Sequence, residues 1–184
     1  MGTEIIERPL PRPTSEDYIN ARLLESLIEA KLSLEFLGRG LVRDASGKVF
    51  QAWRALLAAL LRLELDKLLQ VAETDEEKKW LVNRAVPRVP TTKMVRLSQM
   101  LEEISHNNIL AWTTVALELH DYQYNGPDPD MALSKFRDRH EAAIVMVSLI
   151  KELVNRIEKL KPRVKWSNEL EKEYEELKRT LTSS

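Results

Sequence analysis

The sequence predicts an all-α protein, an up-and-down helical bundle, and three observations carry that reading. Residues 45–72 are dominated by Ala and Leu, strong helix formers, with no Pro among them. At about 1.5 Å per residue, one helix over this span is roughly 40 Å long. Its apolar residues Val49, Phe50, Ala52, Trp53, Leu56, Leu57, Leu60, Leu61 and Leu65 cover most of the circumference, so other helices or lipid must enclose it. Lys48, Arg54, Arg62, Glu64, Asp66 and Lys67 leave no run near the roughly 18 apolar residues that a membrane span requires. Finally, β-branched runs are scarce and Gly numbers only 5, which argues against a sheet.

A chain of 184 residues suits a single domain large enough to bury a core. With 31% charged and 43% hydrophobic residues, it lies well away from disordered compositions. A net charge of -1 gives no global pull toward nucleic acid or membrane, so any such contact has to come from a local patch. The absence of Cys excludes disulfides, thiol catalysis and Cys-ligated zinc, and fits a cytoplasmic location. Residues 1–6 show no basic segment followed by an apolar run, so no secretory signal is expected. Ile6 stands where a myristoylation signal carries Ser or Thr. No membrane partner is expected.

Pro9, Pro11 and Pro13 make residues 1–13 an extended arm. Arg8 to Pro13 reads either as a ligand for a proline-recognising domain or, by preference, as an arm packed along its own domain. Residues 14–162 form the bundle. Its first helix is capped by Thr14 or Ser15, with Glu16 and Asp17 in the first turn, and stops at Gly38 to Gly40. A short connection makes it antiparallel to the central helix. Thr74 starts a third helix that Pro87 and Pro90 end, and Thr91 or Thr92 caps the next. A break at Asn107 and Asn108 precedes a helix to about Tyr122. After the turn signal at residues 125–129, Asp130 caps a long helix to about Leu160, ended by Pro162. Residues 163–184 form a charged C-terminal helix, capped by Ser167, that packs on or extends from the bundle.

Familiar catalytic motifs are missing. Ser46, Gly47 and Lys48 suggest a phosphate loop, but Val42 and Val49 occupy the required Gly and Ser/Thr positions. Glu103 and His106 have the spacing of a di-iron helix pair, yet Leu117 and Arg137 stand where His120 and His140 would need a Glu. No metal or cofactor is expected. One charge feature is distinctive: residues 78–101 contain Lys78, Lys79, Arg84, Arg88, Lys93 and Arg96 and no acidic residue. Such a stretch suits phosphate, RNA or an acidic partner. Neutralisation by Glu73, Asp75, Glu76 and Glu77, or by the acidic C-terminal segment, is the plainer alternative. A second cluster joins Glu118, His120, Asp121, Tyr122 and Tyr124, read either as a site or as the end of a helix.

Residues 21–37, followed by the Ala-rich residues 45–57 with Trp53, resemble the first two helices of HEPN domains (higher eukaryotes and prokaryotes nucleotide-binding). They are closer still to the archaeal PaREP proteins. Leu117 to Asp128 and the segment from Met131 resemble the end of the third core helix, a Tyr-rich turn and the fourth core helix. The resemblance implies a HEPN-like four-helix core, a homodimer, and a function as nucleotide binder, accessory domain or RNA-cleaving toxin. Nuclease members carry Arg, four to six residues, then His. No Arg occupies the corresponding positions before His106, His120 or His140; Lys135 before His140 is the nearest substitute.

The expected function is therefore a non-catalytic, homodimeric binding module for nucleotide, RNA or a protein partner. It works through Lys78, Lys79, Arg84, Arg88, Lys93 and Arg96, with Tyr122 and Tyr124. The alternative is a degenerate ribonuclease in which His120 or His140 does acid–base work beside Arg137 or Lys135.

Overall fold

The computed structural model of the chain describes residues 10–183, so most of the extended arm lies outside the described residues. The N-cap Ser15 accepts a hydrogen bond from the Asp17 amide and opens helix α1, Glu16–Gly38. The chain reverses through Gly40, at φ 75°, where a Cβ would be strained, and enters α2, Val42–Leu63. The Ser26 hydroxyl donates to the Ala52 carbonyl and the Ser33 hydroxyl to that of Ala45, each at 2.8 Å. These two crossings run in opposite directions along the two helices, which makes the hairpin antiparallel. Small residues where the helices meet (Ser26, Ala30, Ser33, Ala45, Ala52) let the backbones approach closely.

Helix α2 is enclosed as its sequence demands: every residue of Ala55 to Leu61 is at most 2% exposed. Its own chain covers it, so its apolar surface does not call for a second copy. The single helix expected over residues 45–72 is, however, broken. It divides at Glu64 (φ -99°, ψ 11°) into α2 and α3, Leu65–Val71. The physical reason is the Glu64 carboxylate, which lies inside the fold and binds Lys67, His106 and Arg163.

Thr74 caps α4, Asp75–Trp80, by accepting from the Glu77 amide. The helix widens into a π-turn over Leu81–Ala85, with the Val86 amide bonded to the Leu81 carbonyl, before α5, Val86–Arg88. Pro87 has no amide to continue an α-type ladder, and the wider turn absorbs that loss. The segment ends at Val89, whose φ of 42° is rare for a β-branched residue. Its free carbonyls are taken by α1: the Tyr18 hydroxyl donates to Val86 (2.7 Å) and the Arg22 guanidinium to Pro87 (3.0 Å).

Neither Thr91 nor Thr92 caps the next helix. Thr91–Lys93 form a 3-10 turn, and α6, Met94–Glu103, starts without a side-chain cap. The break at Asn107 and Asn108 is present, with Ser105 and Asn108 at positive φ, and leads into α7, Ile109–Asn125. The following helix also departs from expectation. Asp130 does not cap it: α8 is Arg139–Leu160, and Asp138 accepts from the His140 and Glu141 amides. Residues 126–138 instead wrap around buried Phe136, whose ring meets Tyr122 edge-on and whose carbonyl accepts from the Asp128 amide. The Asp128 carboxylate gathers the amides of Asp130, Leu133 and Ser134.

Helices α1, α2, α7 and α8 pack on one another as the four-helix core, with α6 against α7. The pairings of Trp53 with Thr113, Phe50 with His120 and Arg43 with Gln123 run α7 antiparallel to α2. Gly47 faces the Gln123 side chain there, at a distance too short for a Cβ. Ser167 opens the last helix, α9, Asn168–Ser183. It buries Leu170, Tyr174 and Leu177 against α1 and α8. Among the described residues no helix is long and apolar enough to cross a membrane.

Candidate functional site

The basic stretch is two populations of charge. Arg96 is enclosed by carboxylates: two N–H groups meet Glu77 Oε1 at 3.0 and 3.1 Å, with Glu73 at 3.5 Å and Glu103 at 3.7 Å. Lys78 lies 3.6 Å from Asp75. Neutralisation by acidic neighbours therefore holds for Arg96, while Lys78 has only a loose, exposed pair with Asp75. Lys79, Arg84, Arg88 and Lys93 are exposed and have no ion-pair or hydrogen-bond partner among the described residues. Tyr18 and Arg22, both buried, fix the backbone that carries Arg84 and Arg88.

The histidine cluster is different in kind. The His120 ring stacks on Phe50, centroids 4.0 Å apart, and meets Tyr124 edge-on at 5.2 Å. Burial lowers its pKa, opposed by Asp121 and assisted by Arg54, so the ring is neutral at pH 7. Its Nδ1 is buried without a partner among the described residues. Arg54, not Lys135 or Arg137, is the cation felt at this ring. Arg137 is exposed and pairs with Asp138 and Glu141 (3.8 and 3.6 Å), and His140 is exposed at the start of α8. Lys135, also exposed, lies in the wrapped segment before it. The ring neighbours of His120 are Phe50 and Tyr124, whereas Arg137 and His140 both meet Asp138, the first through an ion pair and the second through its backbone amide. Tyr122, expected to bind ligand, is 1% exposed and packed on Phe136; Tyr124 is exposed.

Glu103 and His106 do not share a helix face, because α6 ends at Glu103. His106 turns instead to Glu64, Nε2 to Oε1 3.0 Å. An ionised carboxylate only accepts, so Nε2 carries the proton. Burial lowers the His106 pKa, against the pull of Glu64. For Glu64, burial raises the pKa, but bonds from Lys67, Arg163 and His106 outweigh it and hold the group at about 2. Of these residues His106 and Arg163 line a cleft of about 460 Å³ between the α6–α7 corner and the end of α8, together with Leu60, Trp112, Glu152, Arg156 and Lys159. Sequence reasoning missed it because its charges are set by segments far apart in the chain: Glu64 and Arg163 are separated by 99 positions.

Among the described residues no group of three or more His, Asp or Glu is placed to hold a metal ion. No curated protein and no solved structure gives a significant match to the chain. The family model described as the archaeal PaREP1/PaREP8 family matches residues 21–147, from early α1 into α8. This span takes in the α1–α2 hairpin, the basic segment and the wrapped turn around Phe136, and the chain belongs to the archaeal PaREP1/PaREP8 family.

Proposed function

We propose that the protein is a non-catalytic binding module for a phosphate-bearing ligand, RNA or nucleotide, held through Lys79, Arg84, Arg88 and Lys93. The observation that carries this reading is that these four cations are exposed and unpaired among the described residues, with the backbone between Arg84 and Arg88 held by Tyr18 and Arg22. The resemblance to HEPN domains agrees with it. Recognition is by charge: Trp80 is the only aromatic residue in the stretch, too few for the stacked rings of sequence-tolerant single-strand binders. A degenerate ribonuclease is the second reading, favoured by one observation: the His120 Nδ1 is buried without a partner among the described residues, on a ring that feels the Arg54 charge.

Incubation with labelled single-stranded RNA over a range of salt separates the two. Salt-sensitive retention of intact RNA, abolished by Arg84→Glu with Arg88→Glu and kept by His120→Ala, supports the binding module. Cleavage that disappears in His120→Ala supports the nuclease. A homodimer is part of the same proposal; a second copy would cover exposed Tyr124, Met131, Leu133 and Ile144. Light scattering should then return twice the chain mass of 21.3 kDa, and a monomer at all micromolar concentrations contradicts it.

A further inference from the structure

The cleft above Glu64 is built from residues that the basic segment does not use, and its charge balance is specific. Lys67 and Arg163 bind Glu64 directly, and Arg156 binds Glu152 at 2.7 Å. Lys159 is exposed and has no partner among the described residues. Three cations, Arg156, Lys159 and Arg163, and one carboxylate, Glu152, line the cleft, a surplus of two positive charges with His106 neutral; Glu64 and Lys67 lie outside the lining and pair with each other. Arg163 is held in place by a carboxylate that is 2% exposed, while 41% of its own side chain remains open. Its guanidinium keeps further N–H donors for a ligand, in the planar fork that suits phosphate oxygens. Arg156 is fixed as well, donating to the Asn107 carbonyl at 2.8 Å.

The other walls suit the rest of a small molecule. Trp112 is half-buried and lines the cleft beside Leu60, which offers a flat apolar surface. A volume of about 460 Å³ falls within the usual range of small-ligand sites.

We infer that this cleft binds a phosphate monoester of sugar-phosphate or nucleoside-monophosphate size, its phosphate on Lys159 and Arg163 and its body against Trp112. A phosphate monoester carries close to two negative charges at pH 7, which matches the surplus of two; a single carboxylate leaves it half compensated. Glu64 acts as a positioning residue that aims Arg163 into the cleft.

Titration calorimetry on the full chain with adenosine 5′-monophosphate, ribose 5-phosphate, adenosine and ribose tests this. With the basic surface disabled by Arg84→Glu and Arg88→Glu, the two phosphates should still bind at one site per chain, and adenosine and ribose should give no heat. Lys159→Gln removes one exposed charge without touching a buried partner and should weaken phosphate binding about tenfold, the usual loss for one charge-assisted hydrogen bond. Arg84→Glu with Arg88→Glu should leave it unchanged, so failure here is distinct from failure of the RNA surface. The inference is overturned if neither phosphate binds at millimolar concentration, if Lys159→Gln binds as tightly as the wild type, or if the Arg84 and Arg88 reversals abolish binding.

Discussion

Glu64 and Arg96 are the centres of two opposite arrangements. Glu64 is one carboxylate among Lys67, His106 and Arg163, and is 2% exposed. Arg96 is one guanidinium among Glu73, Glu77 and Glu103, with 32% of its side chain exposed. The first sits where α2 breaks and ties that break to the α6–α7 corner and the end of α8. The second lies at the surface, where water competes for every partner. The difference is that the buried centre holds structure and leaves positive charge around it, while the surface centre mainly cancels charge. A count of Lys and Arg in residues 78–101 therefore overstates what a ligand meets: Arg96 is already neutralised, and Lys79, Arg84, Arg88 and Lys93 are not.

The closed middle of α2 sets the scale for breaking the fold. Leu57 is fully buried, and Leu57→Ala should cost about 2–5 kcal/mol in urea melts through the cavity it leaves. Glu64→Ala should cost about 2 kcal/mol, less than the loss of a fully buried ion pair, because Lys67 and Arg163 can turn to water. Glu77→Ala should cost less than ~1 kcal/mol, the range of exposed ion pairs. Equal losses at Glu64 and Glu77 would erase the contrast.

Acid sharpens it. The Glu64 pKa is depressed from 4.5 to about 2 in the fold. Its contribution is fully present above pH 4.5 and is lost as pH falls from 4.5 toward 2. The His106 pKa is also lowered, chiefly by burial, so the unfolded chain takes that proton first and stability begins to fall as pH drops through 6.5. Urea melts at pH 7, 5 and 3 should show a steep acid loss for the wild type and a shallower one for Glu64→Gln. An acid profile unchanged by that substitution would show that the carboxylate is not held by its three partners.

Much of this architecture was legible in the sequence, for local reasons. The apolar circumference of residues 49–61 required enclosure, and Ser15, Thr74 and Ser167 announced their helices because a cap is a bond over two or three residues. The misses share a long-range cause. Nothing in the Leu-rich residues 60–69 marks a break, because Glu64 leaves the helix to meet partners 42 and 99 positions away. Asp130 follows a strong turn signal and reads as a cap, whereas the start of α8 is decided by burial of Phe136 against Tyr122. The basic stretch was visible as a run, but its division into caged and free cations depends on Glu77 and Glu103 folding onto Arg96.

That division is tested most directly by the salt dependence of single-stranded RNA binding for three proteins: wild type, Arg84→Gln and Arg96→Gln. Every phosphate that a variant no longer neutralises should flatten the slope of log affinity against log salt by about 0.7 for a single strand. The expected result is that flattening for Arg84→Gln and a wild-type slope for Arg96→Gln. Equal flattening in both variants, or none in Arg84→Gln, would contradict the division into caged and free cations.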